Sequence, residues 1–238
     1  MIRVLVDALP EPGGELTPGA DECHHLLRVR RIKVDDHVEL LDGRGGRAAA
    51  TVIGLTRRDV ELRVDDNQSA DRESALHLEI AVAIPSQLSS FDSLLPALVQ
   101  LGVDQIYLVP TRYSGRIKKE SYLSRLQNIA LQSLKQNGRL QIPAIERAPN
   151  WQQLCETMQA GNQHNIILHP SATPHQDPTE TQSLGLLIGP EGGFSEEEIE
   201  LAVDHGMGVR ALGPRILKLE TAVVGACFWA QLAYGDLR

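Results

Sequence analysis

Leu186-Leu187-Ile188-Gly189-Pro190-Glu191-Gly192-Gly193-Phe194-Ser195-Glu196-Glu197-Glu198-Ile199 runs from an apolar strand through a glycine-rich turn into a helix. Ser195 opens that helix and Glu198 follows three residues on, the spacing of a capping box, in which each side chain accepts from the other residue's backbone N–H. Strand, turn and helix in this order form a unit of an α/β fold, and open α/β sheets bind ligands beyond the carboxyl ends of their strands. Gly189, Gly192 and Gly193 let the backbone come close to a ligand and offer unhindered N–H groups. Three acidic residues in the first helical turn repel phosphate, so an uncharged or cationic ligand suits the turn better. A tight connection with no ligand is the competing reading.

The same alternation extends on both sides. Leu78–Ile84, Gln105–Val109, Asn165–Leu168, Leu184–Ile188 and Gly208–Leu212 read as buried strands. Helical spacing lies between them at Ser93–Leu101, Ser121–Gln136, Trp151–Gln159, Ser195–His205 and Thr221–Tyr234. Strands separated by helices of 10–15 residues predict a mostly parallel sheet. Ser171–Ser183 is polar and reads as an exposed loop. Upstream of the polar seam Asp65–Ser74 the pattern is β-rich: Arg3–Val6, Asp36–Leu41, Ala49–Ile53 and Val60–Val64, with a helical stretch at Asp21–Arg30 and a hairpin turn at Asp42–Gly46. Two domains are expected, a small β-barrel over 1–72 and an α/β domain over 73–238.

A second glycine turn, Leu212-Gly213-Pro214-Arg215, follows the last strand and leads through Ile216–Ala222 into the final helix. Two such turns after consecutive strands can line one pocket. Neither fits a dinucleotide fingerprint or a P-loop, and no nucleophile elbow or H-E-x-x-H occurs, which removes support from nucleotide-cofactor, esterase and metalloprotease readings. His24-His25 has no partners at metal-ligand spacing and reads as structural or RNA-facing, so no metal is expected. Cys227 reads as packing, and the face Val223, Val224, Phe228, Leu232 as core or subunit contact. Glu220 and Thr221 can cap the last helix or serve the pocket.

Composition bounds the rest. The 238 residues are 42% hydrophobic and 23% charged, which excludes wholesale disorder; aromatic residues are only 4%, so the core is aliphatic. The sequence contains no apolar run long enough for a membrane span and no amino-terminal signal pattern. Three scattered cysteines, Cys23, Cys155 and Cys227, point to a reducing cytoplasm. Net charge is −8, yet Arg112–Arg139 carries +6 and the remainder −14. An acidic body with one basic stretch suits electrostatic steering of a polyanion, and a solvated helical face is the alternative.

Leu186–Ala202 followed by Leu212–Ala222 resembles the ribosomal small-subunit RNA methyltransferase E family, whose members transfer a methyl group from S-adenosylmethionine to N3 of a uridine in 16S ribosomal RNA. His24–Gly45 is similar to the family's amino-terminal PUA-like RNA-binding domain, and Leu101-Gly102-Val103 and Asn137–Ile145 fall at comparable segments. The resemblance implies a SPOUT-type α/β domain with a carboxyl-terminal trefoil knot, the knot and cofactor site lying in about 165–238, and a homodimer acting on the 30S subunit in the cytoplasm. It also implies a cofactor site at Leu168, His169, Gly189, Glu191, Gly192, Gly193, Leu212, Leu217, Glu220, Thr221 and Ala222. RNA contacts are expected from Arg28, Arg30, Arg31, Lys118 and Lys119, and the catalytic cation from Arg139 with Arg112 or Arg116. The chain departs from the family's usual pattern at Ser86–Ser89, Ala97 and Gln100. Another RNA site is therefore one alternative, and an inactive RNA-binding assembly factor or a Rossmann-type metabolic enzyme are others.

Overall fold

A computed structural model describes residues 1–67, 73–170 and 177–237. The chain divides into two compact units, residues 1–73 with 131–142, and residues 74–130 with 143–238.

In the first unit, strands β1 (Ile2–Leu5), β2 (Glu15–Leu16), β3 (His37–Leu41), β4 (Arg47–Leu55) and β5 (Val60–Asn67) form one sheet in the order β1-β3-β4-β5-β2. Only β1 and β3 run parallel; the other pairs are antiparallel. Alternation in the sequence becomes alternation in burial: Val60, Leu62 and Val64 of β5 face inward, as do Ala48, Ala50 and Val52 of β4. Two register shifts in β4 bend it along the sheet. Helix α1 (Ala20–His24) continues into a π-helical turn, His25–Arg30; Cys23 of the helix and Leu26 of the turn join that core. The β3–β4 hairpin is tied by Asp42, whose Oδ1 accepts from the N–H groups of Arg44 and Gly46, both at 2.8 Å. Glu39, buried in β3, is held by Arg3 (2.7 Å) and Arg47. Burial alone raises its pKa, but the two guanidinium groups reverse this and leave it below the ordinary value.

The second unit is a six-stranded, wholly parallel sheet. Its strands are β6 (His77–Ala83), β7 (Gln105–Val109), β8 (Ala144–Arg147), β9 (His164–Leu168), β10 (Ser183–Ile188) and β11 (Gly208–Arg210), in the order β11-β9-β10-β6-β7-β8. Parallel sheets need both faces covered, and the near-continuous burial of β6 and β10 meets that need. Helices α2 (Leu88–Gln100) and α6 (Leu219–Tyr234) pack on each other, and α6 lies on β6 and β10. The other face is closed by α4 (Trp151–Gly161) and α5 (Glu196–Asp204), with Trp151, Leu154, Met158 and Phe194 packed on Ala81, Ile167 and Leu187. The long helix α3 (Ser121–Asn137) follows β7.

The polar span Ser171–Gln176 and Gln68–Arg72 of the seam lie outside the described residues. Two short strands, β2 and β8, were not expected from sequence, and the strand expected over Gly208–Leu212 stops at Arg210. Helix α2 begins at Leu88 rather than Ser93, with Pro96 inside it. An interior proline costs about 3 kcal/mol, and burial of Phe91, Leu94, Leu95 and Leu98 on one face offsets that loss.

Candidate cofactor pocket and its rim

Three adjacent strands, β11, β9 and β10, end on the same side of the sheet, and the segments that follow them close around one cavity of about 670 Å³. Leu168 and His169 come from the end of β9, and Gly189, Glu191, Gly192 and Gly193 from the turn after β10. Leu212, Leu217, Glu220 and Ala222 come from the segment after β11. Of the residues expected at a cofactor site, Thr221 alone is not in this lining; its side chain is exposed on the first turn of α6.

Each wall has a local cause. Gly193 has φ +73°, a left-handed conformation that glycine adopts without strain, and its N–H closes the turn onto the Pro190 carbonyl at 2.9 Å. Ser195 and Glu198 make the expected capping box: Ser195 Oγ accepts from Glu198 N (3.3 Å), and Glu198 Oε2 from Ser195 N (2.9 Å). The same helix end is braced by Trp151, whose Nε1 donates to the Glu198 carbonyl at 2.9 Å and whose ring lies 4.8 Å from that of Phe194. Glu197 is held below its ordinary pKa, chiefly by its own backbone N–H, with further hydrogen bonding from Ser195 and the charge of Arg112. His169 N donates to the Arg210 carbonyl (2.9 Å), which joins the first wall to the third.

Arg210 also lines the cavity; it was not among the expected site residues, because sequence placed it inside a strand that in fact ends there. Its guanidinium is paired with Asp177 and stacked over the Trp229 ring at 4.0 Å. Arg215 and Lys218 are further lining cations. The lining thus mixes aliphatic side chains, a glycine-rich turn, the carboxylates of Glu191 and Glu220, and three cations.

The loops beyond β6 and β7 meet this rim. Ser86 Oγ donates to Glu191 Oε2 (3.2 Å), and Arg112 N donates to Glu198 Oε1 (2.7 Å). Arg112, Arg116, Lys118 and Lys119 are exposed along the loop after β7, with Arg112 in a surface pair with Glu197 (3.3 Å). In the first unit, Arg28, Arg30 and Arg31 are exposed at the end of the π-helical turn.

The basic stretch is not one surface. Lys135 binds Glu22 (2.7 Å), Arg125 binds Asp92 (2.8 Å), and Arg139 binds Glu73 (2.6 Å). Arg139 is only 6% exposed, and Glu73 also accepts from the Leu140 N–H. Arg139, expected as the catalytic cation, is thus held within the first unit by Glu73, as a buried guanidinium needs a carboxylate partner. Among the described residues no group of three or more His, Cys, Asp or Glu side chains could hold a metal ion, and no helix is long and apolar enough to cross a membrane.

A family model described as an RNA methyltransferase domain matches residues 72–231, and one described as an RNA methyltransferase PUA domain matches residues 18–65. The ribosomal RNA small subunit methyltransferase E of Mesomycoplasma hyopneumoniae is 32% identical over 178 residues, covering 73% of this chain and 77% of the relative. Its namesake from Buchnera aphidicola (subspecies Schizaphis graminum) is 29% identical over 220 residues, covering 90% and 89%. The crystal structure of a ribosomal RNA small subunit methyltransferase E from Neisseria gonorrhoeae, bound to S-adenosyl methionine, superposes with a TM-score of 0.88 at 25% identity over 100% of both chains. With a domain model spanning most of the chain and a relative 32% identical and covered over 77% of its length, this protein belongs to the ribosomal RNA small subunit methyltransferase E family.

Proposed function

We propose that the chain transfers a methyl group from S-adenosylmethionine to N3 of a uridine in 16S ribosomal RNA, with the 30S subunit as substrate. The observation that carries the reading is the convergence of three strand-end segments on one cavity of about 670 Å³. Pockets for ligands of this size commonly measure about 300–1,000 Å³. The residues fit the cofactor. Leu168, Leu212 and Leu217 suit the apolar faces of an adenosyl group, and Glu191 and Glu220 suit hydroxyl and cationic groups. Gly192 keeps the turn narrow: a Cβ there would stand 3.0 Å from that of Tyr113. When bound, S-adenosylmethionine supplies an electrophilic methyl group on a positively charged sulfur.

The protein's part is positioning and charge. Holding the nucleophile in line with the methyl group supplies most of the acceleration such a displacement needs. Uridine N3 carries a proton, and the anion left by its loss is stabilised by cations near O2 and O4; Arg112, which meets Glu197 and Glu198 beside the pocket turn, is assigned that role, with the exposed Arg116 of the same loop. A base inside a helix cannot reach a walled pocket, so the target is flipped or unpaired. Residues 1–72 serve as the PUA-like RNA-binding part, with Arg28, Arg30 and Arg31 meeting phosphate, while 73–238 is the SPOUT methyltransferase part, with Lys118 and Lys119 as its own phosphate contacts. The β11-β9-β10 order and the bond from Tyr234 Oη to the Pro178 carbonyl (2.9 Å) support a knot within 165–238. Phe228 and Leu232, half exposed one turn apart on α6, support a homodimer, and the ribosomal substrate supports a cytoplasmic location.

Methylation of a different RNA site is the second reading, favoured by the Ser86–Glu191 bond, which ties a residue outside the family's usual pattern to the pocket wall. Incubation with labelled S-adenosylmethionine and undermodified 30S subunits, followed by nucleoside mapping, tests both. 3-Methyluridine at one 16S position supports the first; label elsewhere supports the second; no label with either overturns methyl transfer.

A further inference from the structure

Tyr113 is a large aromatic side chain left 50% exposed on the loop beyond β7. The loop beneath it is fixed. Thr111 N donates to Ser114 Oγ (2.9 Å), Gly115 N to the Ile84 carbonyl (2.7 Å), and Arg112 N to Glu198 (2.7 Å). The root of the side chain lies against Gly192, where an added Cβ would come within 3.0 Å of Tyr113 Cβ and 3.4 Å of its Cγ. Gly192 is itself a wall of the cavity. The ring therefore stands at the cavity rim on a rigid base. The Arg112 guanidinium carbon lies 5.7 Å from the ring centroid, within cation–π range.

An exposed ring beside cations, at the mouth of a pocket that takes a base out of its stack, has the properties of a stacking platform. Unpaired bases are held in RNA-binding proteins by aromatic faces and arginine planes. We infer that Tyr113 stacks on the nucleobase delivered to the pocket, or on its immediate neighbour, and so selects unpaired over duplex RNA. The inference rests on the methyl-transfer reading and adds the residue that replaces the base's lost stacking.

Single-turnover methylation of undermodified 30S subunits, with Tyr113→Ala, Tyr113→Leu and Tyr113→Phe beside the wild type, tests it. Tyr113→Ala and Tyr113→Leu are expected to lose about 5- to 150-fold in apparent affinity for the subunit, the range that base–aromatic stacking gives. Affinity for S-adenosylmethionine and the unfolding temperature stay at wild-type values, and Tyr113→Phe, which keeps a π-face, recovers the loss. Equal activity of Tyr113→Ala and wild type overturns the stacking role, as does a loss confined to cofactor affinity or full rescue by Tyr113→Leu. An inactive wild type overturns the methyl-transfer reading, and the stacking role falls with it.

Discussion

At the scale of single residues, Gly192 and Tyr113 depend on each other. Valine at 192 must displace either the tyrosine or the turn that walls the cavity, because the added Cβ alone comes within 3.0 Å of Tyr113 Cβ. Gly192→Val is expected to weaken S-adenosylmethionine binding by about tenfold or more, about 1.4 kcal/mol, with the fold retained; calorimetry and circular dichroism read the two effects separately. The cysteines make a contrasting prediction. Cys23, Cys155 and Cys227 are all buried, and burial pushes the Cys155 and Cys227 thiols up to about 12. Since the thiolate is the reactive form, a chromogenic disulfide reagent at pH 8 is expected to find no rapidly reacting thiol in the native protein and three after unfolding. Residue roles were legible in the sequence where local spacing sets them, as at Ser195 and Glu198. They were not where a distant partner decides: nothing near Arg139 announces Glu73, 66 positions earlier.

At the scale of elements, the turn between β10 and α5 carries the site, and the capping box fixes where the helix starts. Ser195→Ala removes one of its two bonds and is expected to cost about 1 kcal/mol. For a chain of this size that lowers the melting temperature by about 2–4 °C, measured by thermal denaturation. Glu198→Gln keeps the box but weakens its hold on the Arg112 N–H, so it is expected to spare stability and impair RNA methylation. Most strands and helices were readable from period and punctuation. The exceptions share a reason. Strand β2 has only two residues and β8 only four, too short for alternation to register, and both exist because a neighbouring edge offers hydrogen bonds. The start of α2 was hidden by Pro96, whose local effect is outweighed by the packing of Phe91 and its neighbours.

At the scale of the whole molecule, residues 131–142 cluster with the first unit, and Lys135 meets Glu22 across 113 positions of chain. Hydrophobic patterning carries no record of such pairings; the two glycine turns could be read as lining one pocket because each follows a strand of the same sheet, but the contribution of Arg210 to that pocket could not. The first unit also has an internal acid sensitivity. Glu39 titrates below its ordinary 4.5 when folded, so its stabilising contribution is complete above that value and is lost as pH falls through the folded pKa. Glu39→Gln leaves Arg3 and Arg47 without their carboxylate and is expected to cost about 3 kcal/mol at pH 7 while flattening the decline in stability below pH 4.5, as read from denaturant melts across pH. The most direct test of the account is isothermal titration of the purified protein with S-adenosylmethionine, alongside Gly192→Val. One saturable site per chain, weakened in the variant, is the predicted result; a folded wild-type protein that takes up no S-adenosylmethionine contradicts it.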